Sequence, residues 1–374
     1  MKKNVTIVDV AKHAGVCHAT VSRAFSGNAH VKTETRERIF RAVSEMGFVA
    51  NPLAKGLVGG KTNTIGILWW LGGPHQGALV ADDIAIYAQK KHQYVSYVTD
   101  HLMDPEVVLK SLKDFAQRKV EGVVIQYDPD LNRPDITACL EEFDAVVLAV
   151  DHSQTALETP FDMIHRDLST GISEAADYLI ATGRRRPAVL IPALSMNAKA
   201  VPFLSRFAAR GIKVSRRAVI TFPLPTTNRF AEFFYQALQR NFPGPFPFDC
   251  LLCGTDEGAA MAMRFLREKG HSVPDEVAVV GFNDSEFAGC LTPPLASIAR
   301  HDEALAKQAF DMLFRRLREP EIPRQRENMQ MSFVWRESAG GIGGSSSREH
   351  RGRPPAPKNA GIRRCVDRQQ RVTW

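Results

Sequence analysis

The chain has 374 residues, 44% hydrophobic and 24% charged, with six cysteines and a formal net charge of +7. That length accommodates two or three domains with a large core, and the composition excludes a disordered or fibrous chain. The total charge hides a split. Residues 1–61 hold 10 Lys+Arg against 4 Asp+Glu, residues 338–374 hold 8 against 2, and the stretch between is net acidic. Contact with a polyanion is expected at the ends, and a different task in the middle.

The first elements lie in TIVDVAKHAGVCHATVSRAF, residues 6–25. Thr6 can cap a helix, with Asp9 in the reciprocal acidic position three residues on. Ile7, Val10, Ala11 and Ala14 share a face, Gly15 permits a turn, and Val16 can plug the angle. A second helix, Cys17 to Phe25, buries Val21 and Phe25 and leaves His18, Ala19, Ser22 and Arg23 outward. That layout is a helix-turn-helix whose second helix suits a DNA major groove. A third helix runs from about Thr33 to Met46, with Thr33 as its expected cap and Gly47 just beyond its end. The next residues, 48–61, contain Asn51-Pro52, a helix start, followed by barely two turns to Val58. So short a helix is unstable alone and is expected to order only against DNA and a second copy of itself.

From Thr64 the pattern changes to short β-rich runs separated by helical stretches: TIGILWW, VSYVT, VEGVVIQ, AVVLAV, PAVLI, AVITF, CLLCG and VAVVGF. Strands alternating with helices predict parallel sheets with crossover helices on both faces, and the strand count suits two lobes. Ligands bind such sheets outside the carboxyl ends of the strands. Candidates there are Trp69, Trp70, Asp151, Asp167, Lys199, Thr255, Asp256, Asn283, Asp284 and Arg300. Carboxylates and amides beside an aromatic face suit a polyhydroxylated ligand such as a sugar. Past Ser338 glycine, serine, proline and arginine dominate, and disorder is expected.

DVAKHAGV, TVSRAFSG, VKTETRERI, NPLAKGL and TNTIGIL, in that order, closely resemble the N-terminus of the lac repressor (LacI/GalR) family of bacterial transcription regulators. The resemblance is dense over residues 5–68 and thinner to about 337. It implies an α/β core of two doubly wound, periplasmic-binding-protein-like lobes behind an N-terminal all-α helix-turn-helix domain. The implied domains are 1–47 for DNA binding, 48–61 for the hinge, 62–337 for the core and 338–374 for the tail. Within the core, lobe one is 62–160 plus 293–322 and lobe two is 161–292 plus 323–337.

By the same resemblance, His18, Ala19 and Arg23 align with positions that choose the operator; an arginine can bond guanine bidentately. Thr6, Cys17, Thr20, Ser22, Asn28 and His30 match positions that touch phosphates, where contacts set register. Lys55 and Leu57 belong to the hinge helix, whose leucine wedges into the minor groove. CGTDEGAAMA and GFNDSEFA match the family's ligand-strand blocks. Cys17 replaces a serine, Asn283 an aspartate, and an arginine expected after PAVLI is missing from LSMNAKAVP, leaving Lys199. The tail contains no leucine for a tetramerising heptad helix, so a homodimer is expected. Arg351-Gly352-Arg353-Pro354 resembles an AT-hook core, though a basic disordered tail produces such a tetrapeptide easily.

The expected function is a sequence-specific DNA-binding regulator, a repressor, that binds a near-palindromic operator as a dimer and answers to a small sugar-like effector. The alternatives are a regulator that ignores small molecules and a cytoplasmic solute-binding protein. The chain lacks G-x-x-x-x-G-K-[ST], G-x-S-x-G and H-E-x-x-H, so no enzyme is expected. Cys250 and Cys253 sit in a strand-like run, where residues three apart face opposite ways, so neither a metal nor a cofactor is expected. Scattered cysteines suit a reducing compartment. Met1-Lys2-Lys3 is followed by Asp9 and Lys12 rather than an apolar run, and no stretch reaches the ~18 apolar residues of a membrane span. A cytoplasmic protein without membrane contact is the expectation.

Overall fold

The computed structural model describes residues 5–25, 31–48, 62–70, 76–100, 104–127, 131–151, 159–223 and 230–340. The hinge residues Lys55 and Leu57, together with Asn28, His30 and the tail beyond Gly340, lie outside them.

Three helices, α1 (Ile7–His13), α2 (His18–Phe25) and α3 (Thr33–Met46), open the chain. Their shared core is small and aliphatic: Val10, Ala11, Ala14, Val21, Ala24, Ile39 and Ala42. Phe25 is only partly buried and closes one side by edge contact with Phe40, 5.5 Å between ring centroids. Gly15 turns α1 into α2 at φ +64, and Gly47 ends α3 at φ +62, a left-handed conformation that costs glycine nothing. Thr33 is the first helical residue rather than the cap. Lys32 occupies the cap position and makes no side-chain bond there, since lysine has no acceptor to offer an amide.

The body runs β1 (Thr64–Trp69), α4 (Gln76–His92), β2 (Val95–Asp100), α5 (Pro105–Gln117), β3 (Gly122–Tyr127), α6 (Pro134–Leu140), β4 (Ala145–Asp151) and β5 (Asp162–Asp167). It continues through α7 (Leu168–Ala181), β6 (Pro187–Pro192), α8 (Val201–Ala209), β7 (Val219–Phe222), α9 (Phe230–Asn241), β8 (Cys250–Cys253), α10 (Asp256–Glu268) and β9 (Ala278–Val280). It ends with β10 (Ser297–Ala299), α11 (Asp302–Arg318), β11 (Arg326–Gln330) and β12 (Ser332–Val334).

Two parallel sheets result, β11-β5-β4-β3-β1-β2 and β7-β6-β8-β9, with β10 and β12 forming a small antiparallel pair. Strand alternation sorts the first sheet's side chains to two faces. Ile65, Ile67 and Trp69 pack under α4 and α11, whereas Leu68, Val123 and Ile125 pack under α5 and α6. The second sheet repeats the plan, with α9 and α10 on one face and α7 and α8 on the other. Cys253 belongs to one of its cores and Cys250 to the other, so the two thiols point to opposite faces. Among the described residues no helix is long and apolar enough to cross a membrane.

The lobe boundaries differ from expectation. β5 and β11 both join the first sheet, while Ala296 and Ala299 bridge to Val280 and Asn283 of the second. The chain therefore passes between sheets near 168, 300 and 331, later each time than the expected 160, 292 and 322. The polar strands DMIHRD and RENMQ carry no apolar run to reveal them. Packing also extends past residue 337. Ser338 Oγ accepts from the Ala296 amide and donates to the Val279 carbonyl, and the Gly340 carbonyl accepts from Trp335 Nε1.

Candidate functional site

Two groups of polar residues stand out, one on α2 and one where strand ends of the two sheets converge.

The reciprocal cap forms at Thr6. Its Oγ1 accepts from the Asp9 amide at 3.3 Å, and Asp9 Oδ2 accepts from the Thr6 amide at 2.9 Å. The Thr6 hydroxyl also donates to Asp9, so this side chain is engaged in holding α1. On α2, Val21 and Ala24 are buried, while His18 and Arg23 are exposed and Ala19, Thr20 and Ser22 half-buried. Helix α2 begins at His18, one residue later than expected, with Cys17 exposed just before it. Cys17 Sγ lies 3.1 Å from Thr20 Oγ1, and this hydroxyl, with the helix-start amides, holds the thiol below its ordinary range. The first turn of α2 carries no acidic residue, so nothing there repels a phosphate from the helix start.

The first sheet's order reverses between β1 and β3, the second's between β6 and β8. Such switch points open a crevice at the strand ends. A side chain spans each. Gln126 Oε1 accepts from the Trp70 amide at 3.2 Å across the first, and Lys199 Nζ donates to the Gly254 carbonyl at 2.8 Å across the second. Lys199 leaves a π-helical turn, Met196–Ala200, and its ammonium sits 3.8 Å above the centre of the Phe282 ring. Burial, then the charge of Arg300, pushes its pKa down to about 7; Asp151 and Asp256 act the other way.

Beside it lies a four-charge cluster. Arg166, 1% exposed, forms a bidentate pair with Asp151 and reaches Asp302 with its third nitrogen. Arg300 joins both carboxylates at the longer distances of 3.2 and 3.3 Å. Burial opposes the charge on Arg166, but Asp151 and Asp302 outweigh it and hold the guanidinium above the usual arginine range.

Of the residues singled out by sequence, Asp151, Lys199 and Arg300 come together here. Trp69 does not: it is 0% exposed in the core under α4 and α11, because as the last residue of β1 it shares a face with Ile65 and Ile67. Asp167 caps α7, accepting from the Ser169 amide and the Ser169 and Thr170 hydroxyls. Thr255 caps α10 through the Gly258 amide. Asp256, 0% exposed, braces rather than lines the crevice. Its Oδ2 accepts from the Ser285 amide at 2.6 Å and its Oδ1 from the Ser297 hydroxyl at 2.5 Å, and burial raises its pKa to about 6. Ser297 Oγ accepts in turn from the Asp284 amide at 3.0 Å. The brace thus holds the pair Asn283 and Asp284, whose φ values of 113° and 57° are unusual for residues with side chains. Gly281 is required beneath it, since a Cβ there would lie 2.1 Å from Asp256 Oδ1. Asp284 pairs with Arg336 at 2.7 Å. Sequence reading missed Gln126, Arg166, Phe282 and Asp302; the last three became visible only once strands and crossovers were placed.

Comparison with known proteins agrees with this division. Residues 6–51 match the model for bacterial regulatory proteins of the lacI family, and residues 176–339 match the periplasmic binding protein-like domain. A probable HTH-type transcriptional repressor, ExuR of Bacillus subtilis, is 26% identical over 355 residues, covering 89% of this chain and 98% of that protein. Among solved structures, the lac repressor dimer bound to operator and the anti-inducer ONPF superposes with a TM-score of 0.75 at 23% identity, covering 90% of this chain and 99% of that one. The transcriptional regulator CelR in complex with cellobiose has a TM-score of 0.59 at 23% identity, covering 89% and 99%. Matched at its helix-turn-helix and over residues 176–339 of its body, the chain belongs to the lacI family of bacterial regulatory proteins and is a DNA-binding transcription regulator, not an enzyme.

Proposed function

We propose that the protein is a cytoplasmic repressor that binds a near-palindromic operator as a homodimer and is released or retained by a small sugar-like effector in the crevice between its sheets. The reading is carried by α2, whose buried Val21 and Ala24 fix its register and turn His18 and Arg23 outward together. His18, Ala19 and Arg23 read bases in this scheme; Thr6, Cys17, Thr20, Ser22, Asn28 and His30 hold phosphates. Lys55 and Leu57 act at the minor groove between half-sites. Trp70, Asp151, Lys199, Asn283 and Arg300 face the effector, and the CelR–cellobiose complex supports a sugar there. Self-association is supported by β2, a sheet edge with Val95 and Val98 exposed, beside the exposed Ile86 of α4. The effector can act only through different affinities for two arrangements of the sheets, and the three crossover strands are where such a change would pass.

Selection of bound sequences from random DNA tests the readout. A near-palindromic site is expected, and Arg23→Ala should lower affinity by about 1–3 kcal/mol and relax preference at one base pair per half-site. Unchanged specificity in the variant would remove Arg23 from the readout.

A further inference from the structure

We infer that the molecule sensed in the crevice is anionic, a polyhydroxylated acid whose carboxylate docks against Lys199 and Arg300. This rests on reading the crevice as the effector site.

Arg166 and Arg300 share Asp151 and Asp302, so two guanidiniums and two carboxylates neutralise one another. Lys199 is left over. Its partners are the Gly254 carbonyl and the Phe282 ring, and among the described residues no carboxylate stands within ion-pair distance of it. Asp256, which also acts on Lys199, is committed to Ser285 and Ser297. A sheltered cation without a counter-charge is costly, and a site usually relieves it by losing the proton or by acquiring an anion. Burial and Arg300 push Lys199 down to about 7, and an anion placed beside it would favour the charged form again. Arg300 is the looser of the two guanidiniums, at 3.2 and 3.3 Å from its carboxylates, and can turn a nitrogen to the same ligand. A neutral sugar would leave Lys199 as it is; a carboxylate supplies the missing charge.

The test uses matched pairs on the full chain: D-galacturonate with D-galactose, D-glucuronate with D-glucose, and D-gluconate with D-glucitol. Thermal melting and calorimetry read binding, and operator affinity reads the response. At least one acid should bind about ten-fold or more tightly than its neutral partner, the margin of a hydrogen bond to a charged group. Lys199→Met should abolish that preference, and Lys199→Arg should keep it; the melting point of each ligand-free variant reports that it is folded. A neutral sugar bound as well as its acid, or a folded Lys199→Met that still prefers the acid, overturns the anionic ligand while leaving the crevice an effector site. No response to either member of any pair overturns both.

Discussion

The head and the body of this chain arrange polar groups by opposite means. In the head, His18 and Arg23 stand exposed on one eight-residue helix, and everything that aims them lies within a few dozen residues: a capping pair three apart, one glycine turn, a core of small aliphatic side chains. In the body, the groups that meet come from far apart. Arg166 reaches Asp151 across 15 positions and Asp302 across 136, and Lys199 reaches Gly254 across 55. A local device tolerates change in the rest of the protein, which suits a surface that must present the same face to DNA. A non-local device registers any change in how the two sheets and their crossovers sit, which suits a sensor.

On this contrast the body should be the more fragile of the two. Replacing Arg166 by Met leaves Asp151 and Asp302 sharing only Arg300 in a sheltered place, and losing one partner of a buried ion pair costs about 3–5 kcal/mol. Chemical denaturation should show a loss near the lower end, because the carboxylates are themselves partly exposed. A loss below about 1 kcal/mol, the scale of surface pairs, would mean that the cluster is no keystone.

The titration of Lys199 sharpens the same point. Its folded pKa of about 7 lies below the ordinary 10.5, so between those values the unfolded chain holds the proton and the folded chain does not. Stability from this group therefore rises with pH across that window and is flat below it. Arg300, Asp151 and Asp256 act on the lysine, and all remain in Lys199→Met. Wild type should gain melting temperature on that variant from pH 7 to pH 10, and a constant difference would show that the amine is well solvated.

The smallest effect belongs to the head. Cys17→Ser replaces a weak thiol donor and acceptor by a hydroxyl at the start of α2. A gain of about 0.5 kcal/mol in operator binding or head stability is expected, the low end for helix-start side chains. A loss would mean that the thiol and its contact with Thr20 do something a hydroxyl cannot.

How far each region could be read in advance follows from the same contrast. Capping, turn and apolar spacing are short-range signals, and they placed α1, α2 and α3 to within a residue, missing only the cap of α3. The apolar strands were visible for the same reason. β5 and β11 were not, because their residues are polar and their pairing partners lie elsewhere in the chain. With them went Arg166, and with it the reason Asp151 is not free to act alone. Trp69 and Trp70 are adjacent in sequence, yet one completes a core and the other donates its amide at the crevice; strand alternation separates them only once the end of β1 is known.

By itself, then, the sequence determined that a basic helix-turn-helix precedes an α/β body of two parallel sheets, since helix caps, turns and apolar periodicity act over a few residues. Only the tertiary structure decided which charges neutralise one another and which is left over. Electrostatic partnership depends on distance in space, and here the partners are brought within reach by crossovers near 168, 300 and 331 that leave no local mark.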